Sequence, residues 1–355
     1  MTLPRRKTQQ VMVRNVPVGG DAPVAIQSMC NTATTDASAT LAQIEGLVKA
    51  GCHIVRLAVP NREAVKAFAN IRKKTDVPLV ADIHFQADLA VAAFDAGADK
   101  VRINPGNIGG EAKVRAIVDA AKKAGAPIRV GVNSGSVEKE ILKKHGGATP
   151  DALVESAAAS VAMMQRLEFD NLVFSIKASD VVTTIQACRA FAGQFDFPQH
   201  IGITESGTVR TGTIRSSVGL GTLLAQGIGD TIRVSLAGDP LQEVRVCKEI
   251  LKSLGLAKGP TVIACPTCGR TQIDVAGLAE KVEDMVAGMT ADIKIAVMGC
   301  VVNGPGEAKE ADVGMAGGKG SGEIFVRGEV VEKVKEEDML DRLMAHVHGA
   351  ITNVE

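Results

Sequence analysis

Tryptophan and tyrosine are absent from the 355 residues, and nine phenylalanines make up the whole aromatic complement. A chain this poor in aromatic rings does not read as one that stacks nucleic-acid bases. Net charge is absent too: 40 Lys and Arg balance 40 Asp and Glu. A general polyanion binder is therefore excluded, and no nucleic-acid partner is expected. No run of 18 or more apolar residues occurs, so no membrane span is predicted. The first ten residues, MTLPRRKTQQ, are basic and polar with no apolar segment behind them. They do not read as a signal peptide, and a cytoplasmic, soluble protein is the expectation. Any anion site must come from local placement of arginine and lysine.

The seven cysteines are odd in number. Cys30, Cys52, Cys188 and Cys247 lie singly in apolar or helical contexts and read as small buried hydrophobes in a reducing compartment. Cys30 sits at a predicted strand end. Cys265, Cys268 and Cys300 are different, because they are grouped.

From about residue 22 to 255 two textures alternate. Short β-branched runs read as strands: PVAIQSM, HIVRLAV, PLVADIHF, KVRINPG, IRVGVN, NLVFSIKA, HIGITES and TIRVSLAG. Alanine-rich stretches of helical periodicity separate them, several closing on glycine as a helix end does. Eight strand–helix units in about 230 residues predict a TIM (β/α)8 barrel. An open doubly wound sheet is the runner-up, but QSMCNTATTD is not the glycine-rich first turn that such a sheet uses. The pattern ends near Leu251–Pro260. That divides the chain into 1–256, a barrel, and 257–355, a small α/β domain carrying the grouped cysteines. In the second domain a helix is predicted near Val275–Val286, then a strand IKIAVMGC, a strand pair around EIFVRGEVV, and a closing helix EDMLDRLMAHVHGAI.

Barrel active sites lie at the carboxyl ends of the strands, where side chains alternate inward and outward with period two. Arg102 and Asn104 are two apart, as are Asp82 and His84, Ser175 and Lys177, and Arg233 and Ser235. Arg129 and Asn133 are four apart with Gly131 between them, Arg56 stands on the second strand, and Glu205 follows the seventh. Ser28 and Asn31 end the first strand with less regular spacing. The intervening Ile83, Ile103, Val130, Val132, Ile176 and Val234 are apolar. Turning the polar set inward brings four arginines and a lysine to one opening. The resident this predicts is a substrate with several negative charges, phosphate above all, because guanidinium grips it with two donors. The opposing reading pairs each cation with an acidic neighbour. His84 beside Asp82 is a candidate donor or acid.

ACPTCGR (Ala264–Arg270) and MGCVVNGPGE (Met298–Glu307) supply three cysteines, an incomplete set for zinc or for an iron–sulfur cluster. No cysteine follows Cys300. His346 and His348 lie in the terminal helix, and Glu307 beyond the turn Gly304-Pro305-Gly306 is the next good ligand. Three thiolates with a carboxylate suit a 4Fe–4S cluster whose fourth iron can exchange its ligand for a substrate oxygen. A phosphate-binding barrel joined to such a cluster reads as a reductase of an oxygen-bearing phosphorylated substrate. The rivals are a phosphate-binding aldolase or isomerase with a structural zinc, in which Lys177 is a Schiff-base lysine, and a non-catalytic iron–sulfur sensor or scaffold. No CxxxCxxC triad near the first strand marks a radical-SAM enzyme.

These blocks, with VRLAVPN, ADIHF, VRINPGNIG, GVNSGS, SIKAS and ITESG in the barrel, together resemble the 4-hydroxy-3-methylbut-2-enyl diphosphate synthases (IspG/GcpE family) in their bacterial two-domain form. The resemblance covers nearly the whole chain. It implies reductive ring opening and dehydration of 2-C-methyl-D-erythritol 2,4-cyclodiphosphate to (E)-4-hydroxy-3-methylbut-2-enyl diphosphate, in the methylerythritol phosphate route to isoprenoids. It implies a 4Fe–4S cofactor on Cys265, Cys268, Cys300 and Glu307. Diphosphate contacts fall to Arg56, His84, Arg102, Arg129, Lys177, Arg233 and Ser235, with Asn104 and Asn133 nearby. Glu205 matches the family's acid near the reacting carbons. A homodimer is implied, in which the cluster domain of one subunit closes the barrel of the other. No dinucleotide-binding turn is present, and a cluster passes electrons singly, so the expected donor is flavodoxin or ferredoxin.

Overall fold

The computed structural model describes residues 3–301, 306 and 308–352. The chain forms two compact units, Met1–Ala257 and Lys258–Glu355.

The first unit begins with a short hairpin, β1 (Val11–Val13) and β2 (Val16–Val18). Strand and helix then alternate: β3 (Ala25–Met29), α1 (Ala37–Lys49), β4 (Ile54–Ala58), α2 (Arg62–Arg72), β5 (Leu79–Asp82), α3 (Ala87–Asp95) and β6 (Lys100–Ile103). After α4 (Pro105–Ile108) and α5 (Glu111–Ala124) come β7 (Ile128–Asn133), α6 (Lys139–His145), α7 (Pro150–Arg166), β8 (Leu172–Lys177) and α8 (Val181–Ala192). The unit ends with β9 (His200–Ile201), α9 (Val209–Leu224), β10 (Thr231–Ile232) and α10 (Pro240–Ser253). Side chains of Asp36, Asn61, Thr149, Asp180 and Asp239 accept from backbone N–H groups in the first turns of α1, α2, α7, α8 and α10. Each such cap contributes about 1 kcal/mol.

The sheet order is β8-β7-β6-β5-β4-β3-β10-β9, and every pairing is parallel. A parallel bridge between Phe174 and Gln199 joins the two ends, with Phe174 N donating to Pro198 O at 2.9 Å, so the ring closes as a TIM barrel. The last two strands are shorter than their sequence runs. The assigned strands are His200–Ile201 and Thr231–Ile232, with Arg233 N still donating to Ile201 O at 3.1 Å.

The two faces of each strand separate as period two requires. Ile83, Ile103, Val130, Val132, Ile176 and Val234 join one core with the helices outside the barrel. The alternate residues Asp82, Arg102, Arg129, Ser175 and Lys177 are buried without belonging to that core. The amino-terminal end of the barrel is stopped by the hairpin: Val11, Val13 and Val18 pack on Ala25, Ile54, Val80 and Val173, at or next to the first residues of β3, β4, β5 and β8.

The second unit is a five-stranded sheet in the order of its chain: β11 (Thr261–Ala264), β12 (Lys294–Met298), β13 (Val313–Gly318), β14 (Ser321–Val326) and β15 (Glu329–Lys335). The first three strands are parallel, and the glycine-rich run folds β13, β14 and β15 into antiparallel hairpins. Helices α11 (Val275–Val286) and α12 (Met339–Thr352) bury Val275, Val282, Leu343 and Val347 against Ile295, Val297, Val313 and Met315. Among the described residues no helix is long and apolar enough to cross a membrane.

Candidate active site

Asp82, at the end of β5, is the centre of the barrel mouth. It is 4% exposed, and its carboxylate lies 3.8 Å from Arg56 Nε, 3.3 Å from Arg102 NH1 and 3.5 Å from His84 Nε2. Burial alone would raise its pKa. The guanidinium groups of Arg56, Arg102 and Arg129 and the hydrogen bond with His84 outweigh that and hold it well below the usual carboxylate range. The cations feel the same burial with the opposite sign. Arg56 is lowered to about 10, by desolvation first, against the pull of Asp82. Arg129 and Lys177 are pushed well below their ordinary values, first by burial and then by one another's neighbourhood of cations. The interior therefore holds more positive charge than its carboxylates neutralise, which is the electrostatic state that favours a polyanionic ligand.

Two glycines make room for these heads. A Cβ on Gly131 would stand 2.7 Å from Arg102 Nε, and one on Gly202 would stand 2.6 Å from Lys177 Nζ. Glycine at these positions lets a guanidinium and an ammonium lie flat on the barrel wall. Arg233 is held differently. Its Nε and NH2 donate to Glu243 of α10 at 3.1 and 3.0 Å, and Ser28 Oγ donates to the same carboxylate at 2.9 Å. So the pairing of a cation with an acidic neighbour, raised above as the opposing reading, holds for Arg233 with Glu243 and in part for Arg56 and Arg102 with Asp82.

The remaining polar residues form the rim. His84 is more than half exposed and stacks loosely on the exposed Phe85. Asn104 caps the short α4 through Gly106 N and donates to Ser136 Oγ at 2.7 Å, while Ser136 Oγ exchanges contacts with the backbone of Asn133. The two asparagines thus belong to one braced loop. Glu205 is exposed and its φ is +53°, a left-handed backbone that costs a glutamate about 1 kcal/mol or more. Its neighbour Ser206 is fixed by a hydrogen bond to Ser235 O and by Arg215 donating to Ser206 O at 3.3 Å.

In the second unit, Cys265 and Cys300 follow the adjacent parallel strands β11 and β12. Gly299 N donates to Cys265 Sγ at 3.2 Å. Cys268 is exposed, and the backbone N–H of Arg270 leads the influences that lower its thiol pKa. Amide donors aimed at sulfur favour thiolate, the form a metal requires. Among the described residues no three His, Cys, Asp or Glu side chains converge closely enough to hold a metal ion. Glu307 lies outside the described residues. The donor chemistry therefore fits a thiolate-bound group on this edge of the sheet. Cys30, Cys52, Cys188 and Cys247 are buried, their thiols pushed up to about 12 by desolvation.

Residues 8–248 match the GcpE TIM-barrel domain and residues 261–349 match the GcpE protein C-terminal domain. The chain belongs to the GcpE family. Curated relatives named 4-hydroxy-3-methylbut-2-en-1-yl diphosphate synthase (flavodoxin) span its full length. That of Geobacter sulfurreducens is 56% identical over 97% of this chain and 98% of its own. That of Maridesulfovibrio salexigens is 55% identical over 97% and 96%, and that of Clostridium perfringens 54% over 96% and 98%. Among solved structures, a type I 3-dehydroquinate dehydratase from Clostridium difficile superposes with a TM-score of 0.52 at 14% identity, over 70% of this chain and 98% of that one. That likeness concerns the barrel alone.

Two parts of this GcpE barrel escape a reading by strand ends. Glu243 sits on a helix, so its grip on Arg233 is invisible to strand periodicity. Lys100 and His200 lie on the inward faces of β6 and β9, two residues before Arg102 and Gly202, and are fully buried. The period-two rule that found Arg102 points equally to Lys100.

Proposed function

We propose that this GcpE-family chain catalyses the reductive ring opening and dehydration of 2-C-methyl-D-erythritol 2,4-cyclodiphosphate to (E)-4-hydroxy-3-methylbut-2-enyl diphosphate, with flavodoxin as the electron donor. Full-length identity above one half to enzymes carrying that name is the observation that carries the proposal. The excess of buried positive charge at the mouth supports a doubly phosphorylated substrate. In this reading the barrel, 1–256, binds substrate, and 257–355 carries the cofactor. Arg56, Arg102, Arg129 and Lys177 bind the diphosphate, with His84, Arg233 and Ser235 completing the contacts. Asn104 and Asn133 brace the rim, and Glu205 faces the reacting carbons.

Cys265, Cys268, Cys300 and Glu307 would hold a 4Fe–4S cluster. When bound, it would supply single electrons and a Lewis-acidic iron. The protein's own work is to neutralise the phosphates, orient the ring and present the Glu205 carboxylate. A homodimer suits this assignment. The cluster domain of one subunit would close the barrel of the other. A cytoplasmic location accords with the reduced state that three exposed or half-exposed thiols need.

The test is anaerobic turnover of the cyclodiphosphate by the full chain with reduced flavodoxin. Formation of the linear diphosphate at a rate that depends on flavodoxin is the expected result. A fully iron-loaded preparation that leaves the cyclodiphosphate intact would overturn the assignment.

A further inference from the structure

Beneath the mouth lies a second polar layer, of which the ring-opening reading uses Arg129 and leaves Gln27, Lys100 and His200 without a role. Lys100 shares the inward face of β6 with Arg102 and is 0% exposed, yet its Nζ has no hydrogen-bond partner among the described residues. His200, also 0% exposed, has Nδ1 2.7 Å from Thr231 Oγ1, which leaves Nε2 unpartnered. Gln27, in the middle of β3, is 0% exposed with both amide atoms unpartnered. Arg129, 1% exposed, adds unpartnered Nε and NH1.

Strand register sets these groups on the apolar floor. Lys100 lies beside Val80, Arg129 beside Val173, and His200 beside Thr231, which lies beside Ala25. Val80, Val173 and Ala25 are the residues that the amino-terminal hairpin covers. Above the layer stand Arg56, Asp82 and Arg102.

The chemistry of the unpartnered atoms is one-sided. Lys100 Nζ, Arg129 Nε and NH1 and Gln27 Nε2 donate, and His200 Nε2 donates when Nδ1 accepts the Thr231 hydroxyl. With Lys100 charged and His200 in that tautomer, Gln27 Oε1 is the sole acceptor among these atoms. Buried polar groups are nearly always satisfied, and a donor-rich set is satisfied by an anion. Among the described residues the nearby carboxylates are already engaged: Asp82 faces Arg56 and Arg102 as well as Arg129, Glu243 is held by Arg233, and Asp230 by Arg5. Burial first, and the nearby cations after it, press both Lys100 and His200 toward their neutral forms.

We infer that Gln27, Lys100, Arg129 and His200 form an internal site for a small monovalent anion of the halide type, beneath Arg56, Arg102 and Lys177, with Arg129 shared between this site and the proposed diphosphate site. The donors come from four strands, each offering one or two atoms, an arrangement that suits a small spherical anion. An anion at this place keeps Lys100 charged and ties the strands together from within. The inference rests on the barrel interior and not on the reaction, so loss of turnover would leave it standing.

Crystals of the full chain grown in sodium bromide and measured at the bromine absorption edge should show an anomalous peak touching Lys100 Nζ and Arg129. In solution the chain should melt at a temperature that rises with sodium chloride and saturates, as one-site binding to the folded state requires. Sodium gluconate at equal ionic strength should give no such rise. The titration is made with excess inorganic pyrophosphate, so that the mouth is already filled. Lys100→Met should flatten the chloride dependence. The wild-type arms stand without it if the variant fails to fold. Bromide only among Arg56, Arg102 and His84, or a melting temperature indifferent to chloride over gluconate, would overturn the site.

Discussion

Asp82→Asn keeps the shape of the side chain and removes the carboxylate that faces Arg56 at 3.8 Å and Arg102 at 3.3 Å. At an effective dielectric near 20 each contact amounts to about 4–5 kcal/mol of attraction before desolvation is counted. What the variant registers is the cost of leaving two guanidinium groups buried without their partner, about 3–5 kcal/mol. At about 2–4 °C per kcal/mol for a unit of this size, the melting temperature should fall by roughly 6–20 °C. Inorganic pyrophosphate should restore more of that loss in the variant than it adds to the wild type, because it replaces the missing negative charge. The pH dependence has a definite sign. The folded-state pKa of Asp82 is depressed, so its contribution is complete above the unfolded value near 4 and is lost as the pH falls toward the folded value. The gap between wild type and variant should be constant above about pH 5 and should narrow on acidification. Calorimetry of both proteins across pH, with and without pyrophosphate, measures all three effects. Equal melting temperatures at neutral pH, or a gap that widens in acid, would refute Asp82 as the counter-charge of the mouth.

Gly131→Ala should leave the fold intact but displace the Arg102 guanidinium, whose Nε would lie 2.7 Å from the new methyl group. A Michaelis constant raised about as much as by Arg102→Ala, equivalent to roughly 1.5–3 kcal/mol, is the expected outcome. Glu205→Gly should relieve the left-handed backbone and raise stability by about 1 kcal/mol while abolishing turnover; loss of stability together with activity would make Glu205 structural. Cys265→Ser, Cys268→Ser and Cys300→Ser should each fail to assemble a cluster, read by iron content. Glu307→Cys should yield a sturdier cluster with poor turnover and Glu307→Ala an air-sensitive one. Wild-type turnover in Glu307→Cys with an air-stable four-iron cluster in Glu307→Ala would place the fourth ligand elsewhere.

The barrel was legible because its strands carry two patterns at once. Ile103 and Val130 alternate with Arg102 and Arg129, so a single period sorts helix-facing from interior residues. The hairpin was not legible: its strands have three residues each, and Pro17 in β2 argues against a strand. Its role depends on Ala25, Ile54, Val80 and Val173 converging from four distant strands. The charges of the mouth could be found, but their partners could not. Asp82 reads as a neighbour of His84 and turns out to bind two arginines, and Glu243 reaches Ser28 across 215 positions of sequence. Pairing across the closed seam of a barrel leaves no trace in local spacing.

The first residues of the chain are fastened to some of the last that complete the barrel. Arg5 pairs with Asp230 at 2.9 Å, Arg6 donates to the carbonyls of Ala192, Phe195 and Phe197, and β3 closes on β10. On the ribosome the floor under the hairpin is complete once Val173 has been made, whereas Arg5 meets Asp230 only after 225 further residues. At about 5–20 residues per second, that is a wait of roughly 10–45 s. Until β9 and β10 follow, the interior cations have no closed wall to hold them. A chain halted short of β10 therefore lacks the strand on which β3 closes and the carboxylate that Arg5 holds.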